Sequence, residues 1–160
     1  MKGIVEILLL ILLVVHPEAG VSSVPVPTPI LTQETRVLGV ATKSALVNSI
    51  NSIRASHGVA PLKISYLLNK SASNRACYLY KNNIWSHEGE GYVKFFAQVG
   101  YLPHPKWIGE NLARNFGSDQ EMINAWVGSS IHLTNILDGR FVEIGIGKCY
   151  TYTVAHFGGK

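Results

Sequence analysis
The pattern of hydrophobic and polar positions changes several times along the chain. Ile7 to Val15 are nine consecutive apolar residues without a charge. Between Val24 and Pro29 proline takes every second position, which fixes φ and favours an extended polyproline II path. Helical periodicity then takes over. Leu46, Ile50, Ile53 and His57 recur at helical spacing, and Gly58 followed by Pro61 ends that helix. Leu68, Ala72, Ala76, Leu79 and Tyr80 share one face of a second helix, with Ser65 placed as its N-cap. Tyr92 to Val99 predicts a short third helix ended by Gly100. Ser118-x-x-Glu121 is a capping box that opens a helix with Met122, Ile123, Trp126 and Val127 facing inward. Near the end the period falls to two. Val142, Ile144 and Ile146 alternate with Glu143, Gly145 and Gly147, and a second strand runs from Tyr150 to Phe157 after a Lys148-Cys149 connection. Helices first and antiparallel strands last argue for a layered α+β domain.

The regimes divide the chain into a leader over residues 1–23, a Pro-rich linker over 24–42 and one globular domain over 43–160. A spanning helix needs about 20 apolar residues and a signal-peptide core about 7 to 15. The leader therefore reads as a signal peptide or an uncleaved N-terminal anchor, and membrane association through it is expected only in the second case. Export follows from this reading, to the extracellular space or the cell envelope.

Composition narrows the picture. In 160 residues, charged side chains make up 15% and the net charge is +4. Low charge density without basic clusters argues against nucleic acid. Two cysteines cannot form a disulfide framework, and no Cys-x-x-Cys is present for a zinc ribbon or thioredoxin-like motif. Cys77 and Cys149 are equally compatible with one bridge and with two buried thiols. Asn69-Lys70-Ser71 fits a glycosylation sequon but falls inside a predicted helix. Trp107 and Tyr101 flank Pro103-His104-Pro105, which reads as a tight hydrophobic loop before it reads as a binding rim.

Chemistry candidates lie in four short segments, around His87, Glu110, His132 and Glu143. Each puts an imidazole or carboxylate in an apolar setting, where such groups are paired, hydrogen-bonded or ligating. Glu143 shares its strand face with Gly145 and Gly147. Glycine in a strand marks close approach of a ligand or of another backbone. His156 reads as an ordinary residue of its strand face.

Taken in order, these segments resemble the CAP superfamily of cysteine-rich secretory, antigen 5 and pathogenesis-related proteins, in its short bacterial-type form. Leu46-Val47-Asn48-x-x-Asn51-x-x-Arg54-x-x-His57-Gly58 looks like the family's first helix, followed by Pro61-Leu62. Ser86-His87, Gly109-Glu110-Asn111, His132-x-x-Asn135-Ile136-Leu137 and Glu143-Ile144-Gly145-Ile146-Gly147 match its four signature blocks. The resemblance covers about Lys43 to Gly158. It implies a three-layer α-β-α sandwich with an antiparallel sheet, and a cleft holding His87, Glu110, His132 and Glu143. His87 and His132 would be the ligands of a weak divalent site such as zinc, since neutral imidazole suits that ion and two ligands leave positions open. Where the family has Pro-Gly and Arg around the second histidine, this chain has Ser130-Ile131 and Leu133, which alters the cleft wall.

Three function classes follow. The first is a module that binds a protein, lipid, sterol or envelope ligand through the cleft without turnover. The second is a metal-dependent, peptidase-like hydrolase with Glu110 or Glu143 as general base. The third is a structural envelope protein with a vestigial cleft.

Overall fold
Residues 33–87, 91–101 and 107–159 are described in the computed structural model. Helix α1 (Gln33–Ser56) leads to strand β1 (Lys63–Ile64), helix α2 (Tyr66–Lys81) and helix α3 (Gly91–Gln98). Strand β2 (Trp107–Arg114), helices α4 (Asp119–Val127) and α5 (Ser130–Leu137), and the hairpin β3 (Phe141–Cys149) and β4 (Tyr152–Gly159) complete the order. The strands form one sheet, β1-β3-β4-β2. β4 is antiparallel to both neighbours, and the two-residue β1 joins β3 in parallel.

Helices α1, α4 and α5 cover one face of the sheet, where Leu46, Ile50, Trp126, Ile136, Ile144 and Phe157 interlock. Helix α2 covers the other through Ala72, Ala76 and Leu79, packed on Leu112 and Val154, and α3 reaches the same face where Phe96 stacks on His156. This is the expected α-β-α sandwich. Helix α2 lies unusually close to β3. A Cβ on Gly145 would stand 2.0 Å from the backbone carbon of Leu68, and one on Gly147 2.1 Å from that of Ala72. The strand glycines thus admit a helix backbone, not a ligand. Asn69 Oδ1 accepts the Ile146 N–H at 2.7 Å, pinning helix to strand. With Asn69 so engaged and Ser71 fully buried, the sequon has no room for a sugar.

Three helices end in the same way. Gly58 N–H reaches Ala55 O while Val59 N–H reaches Arg54 O, with Gly58 at φ +70°. Gly100 after α3 and Asn83 after α2 repeat the arrangement, which satisfies the last carbonyls and requires a left-handed residue. At the start of α4, Glu121 N–H bonds Ser118 Oγ at 3.2 Å, and the Glu121 carboxylate reaches back to Gly117 N–H. Ser65 occupies the N-cap of α2 without a side-chain bond.

Several expectations change. Helix α1 begins at Gln33, so residues 33–42 of the expected linker are helical; no proline lies between Pro29 and Pro61 to prevent it. The leader, residues 24–32 of the linker and Pro103-His104-Pro105 lie outside the described residues. A register shift between Phe141 and Glu143 reverses the alternation there, so Phe141 fills the core and Val142 is exposed. Val127 and Tyr80 are likewise exposed instead of facing inward. The hairpin turn is Tyr150-Thr151, two residues beyond the expected connection. Strands β1 and β2 and helix α5 had no periodic signal of their own.

Candidate functional site
Strand β2 is an edge strand, and an edge leaves alternate backbone groups without a sheet partner. Here two helices take them. Asn135 Nδ2 donates to Glu110 O at 3.2 Å, and Trp126 Nε1 donates to Leu112 O at 3.0 Å. Asn135 also bonds Asn111 Oδ1, and Asn111 Nδ2 reaches His132 O at 3.1 Å. The asparagines of two sequence blocks therefore tie α5 to β2, which sets His132 beside the Glu110 strand.

Glu110 projects to the opposite face, toward α2, and its carboxylate is fully buried. Arg75 Nε lies 3.1 Å from Oε2, His156 Nε2 3.1 Å from the same oxygen, and His87 Nδ1 2.9 Å from Oε1. His156 Nδ1 in turn meets Ser71 Oγ at 2.9 Å. Burial alone would raise the Glu110 pKa. The hydrogen bonds from His156 and His87 and the Arg75 charge outweigh it and hold the group at about 2. Burial lowers the His156 pKa, so this imidazole is neutral and gives Glu110 an N–H, with Nδ1 accepting from Ser71.

His87 is the solvent-facing member, its side chain 48% exposed. A carboxylate on Nδ1 holds the proton there and leaves the Nε2 lone pair outward. His132 is also held through Nδ1, at 2.9 Å from Ser129 Oγ, a hydroxyl that can pair with either tautomer. Its pKa is lowered by partial burial and then by the charge His87 can carry, which places the two rings within electrostatic reach. Among the described residues, Nε2 of neither ring has a hydrogen bond.

Glu143 is placed apart. Its partner in β4 is Gly158, one residue pair from the His156 position that faces Glu110. It thus shares the Glu110 face of the sheet, two strands away. Tyr101 Oη donates to Glu143 Oε2 at 2.6 Å, and burial followed by that bond raises the Tyr101 pKa. The structure therefore joins His87 and Glu110 directly, leaves His132 within the electrostatic influence of His87 alone, and links Glu143 to Tyr101. Arg75 and Ser71 were not among the expected site residues; His156, expected as an ordinary strand-face residue, bonds Glu110, and Tyr101, expected only to flank a loop, bonds Glu143. Arg75 carried a signal, a charge within the apolar stripe of Ala72, Ala76 and Leu79.

The cysteines are resolved as one bridge, Cys77–Cys149, between α2 and the end of β3.

The profile of the cysteine-rich secretory protein family, CAP, matches residues 47–156. The chain belongs to the CAP family. Two CAP relatives come from Bacillus subtilis (strain 168). The uncharacterized protein YkwD is 31% identical over 108 residues, 67% of this chain and 42% of YkwD. The uncharacterized membrane protein YlbC is 22% identical over 133 residues, 82% of this chain and 38% of YlbC. The chain thus spans less than half the length of either. Among solved structures, an extracellular SCP-domain protein from Bacillus anthracis str. Ames superposes with a TM-score of 0.73 at 19% identity, over 83% of this chain and 45% of that one. An outer surface protein from Borrelia burgdorferi gives 0.65 at 22% identity, over 73% of this chain and 91% of that one. At these identities the structures establish the CAP fold alone.

Proposed function
We propose that this CAP domain is an exported binding module whose cleft, framed by His87 and His132, holds a divalent cation and a ligand or protein partner without turning it over. One observation carries the reading: both imidazoles are anchored through Nδ1 and leave Nε2 unbonded among the described residues. Glu110 behind His87 is the outer carboxylate that orients a ligating histidine. The donor set fits a weak, exchangeable zinc site, because two imidazoles leave the other positions to water or to a partner. Among the described residues no group of three or more His, Cys, Asp or Glu side chains gathers as a metal cluster. A bound cation would supply an anchor for an acidic group on the partner. Extracellular and outer-surface descriptions of the structural neighbours support export.

The hydrolase reading loses its first base. Glu110 is fully buried and held at about 2, so it neither reaches a substrate nor accepts a proton near neutrality. Calorimetric titration of the whole chain with zinc at pH 7 tests the proposal. One equivalent is expected to bind, and His87→Ala and His132→Ala should each weaken binding at least about tenfold. Heats unchanged in both variants would overturn the metal site; turnover of a peptide library that disappears in Glu143→Gln would overturn the non-catalytic reading.

A further inference from the structure
A second concave surface lies at the turn end of the β3-β4 hairpin. Its volume is about 440 Å³, and Tyr80, Lys81, Asn83, Arg114, Asn115 and Tyr152 line most of it. That size falls in the usual range for small-ligand sites. Aromatic rings frame it. Tyr80 and Tyr150 stack at 4.2 Å and are 39% and 67% exposed. Trp85, 46% exposed, carries the Arg114 guanidinium 4.8 Å above its ring. Tyr152, nearly buried, meets both Tyr80 and Trp85 edge-on beneath them.

Tyr150, in the wall of the adjoining hollow, backs the Tyr80 ring. It is the first residue of a two-residue hairpin turn and stands at φ +52°, a position that favours glycine. A bulky side chain there is strained, yet the turn presents an exposed phenol ring. The surface is also rigid: Cys149, next to Tyr150, is bridged to Cys77, three residues before Tyr80. Asn115 N–H bonds Thr151 O at 3.0 Å and ties the end of β2 to the same turn. A preorganised platform loses little freedom on binding.

The chemistry of the lining selects an occupant. The Tyr80 ring, 39% exposed in the lining, suits the C–H face of a sugar ring. Two asparagine amides and the Thr151 hydroxyl, also at the wall, suit its hydroxyl groups. Lys81 and Arg114 add positive charge, and no lining residue is acidic. Asp119, in the adjoining hollow, is paired with Lys148. We propose that this pocket binds an anionic saccharide, with a sugar ring against Tyr80 and its carboxylate or phosphate toward Arg114 and Lys81.

Calorimetry on the whole chain with three probes tests this: hyaluronan tetrasaccharide, trigalacturonate and the neutral chitotetraose. At least one acidic probe is expected to bind saturably and at least about fivefold more tightly than chitotetraose, with the advantage shrinking as salt rises. Tyr80→Ala should raise its Kd about tenfold, and Arg114→Gln should remove the preference for the acidic probe. Tyr80→Leu, which keeps an apolar side chain on α2, should weaken binding equally with little change in Tm; this separates lost ring contact from lost folding. His87→Ala and His132→Ala should leave saccharide binding unchanged, so the two sites stand or fall separately. Failure of both acidic probes, binding indifferent to Tyr80, or tighter binding of an oligothymidylate would overturn the proposal.

Discussion
The two faces of the sheet are held by different physics. On the α1 side, apolar side chains fill the space, and the buried Arg54 donates only to backbone carbonyls: Ala60 and Ile136 at 2.7 Å, Asp138 at 3.1 Å and Phe141 at 3.2 Å. On the α2 side, Arg75 is paired with a buried carboxylate, and two histidines and a serine complete the network. One arginine staples loops through backbone carbonyls, which do not titrate. The other belongs to an ionic cluster that also orients His87. A buried polar network is therefore not one kind of thing in this protein: the first is scaffolding, the second connects scaffold to site.

The comparison breaks most directly at Arg75. Arg75→Ala leaves Glu110 buried without its cation and should cost about 3–5 kcal/mol in urea unfolding. A loss under about 1 kcal/mol would mean that the cluster is as self-sufficient as the apolar face. Acid offers a second, smaller test. Glu110 titrates at about 2 in the fold against an ordinary value of 4.5. A depressed carboxylate stabilises fully above its unfolded pKa, so about 3 kcal/mol should fade as pH falls from 4.5 toward 2. Glu110→Gln should flatten that part of the stability–pH curve, whereas Arg54→Lys should leave its shape unchanged. Glycines give the finest contrast. Gly145→Ala drives a methyl into the α2 backbone and should cost about 3 kcal/mol. Gly58→Ala meets open space and strains only φ, at about 1 kcal/mol. Equal melting temperatures for the two variants would refute the close-approach account.

Legibility in the sequence followed how local each cause was. The apolar stripe of α2, the Gly58 and Gly100 stops and the Ser118 cap were readable because each acts within about one helical turn. The four site blocks were readable through family likeness, not through any property of a single histidine. Strand β2 was missed because an edge strand buried by helices shows no clean alternation, and Val142 was misplaced because a bulge is set by the partner strand.

By itself, the sequence determined the family, the layered architecture and several helix ends, and it nominated four candidate site residues. Only the tertiary structure decided their relations. It brought Arg75, His156 and Ser71, all distant in sequence, onto Glu110, and gave Glu143 to Tyr101. It also closed Cys77 onto Cys149 and turned the Gly145 and Gly147 positions into a seat for a helix. The physical reason is that a side chain's charge, tautomer and free lone pair depend on what surrounds it. Those surroundings come from residues far along the chain.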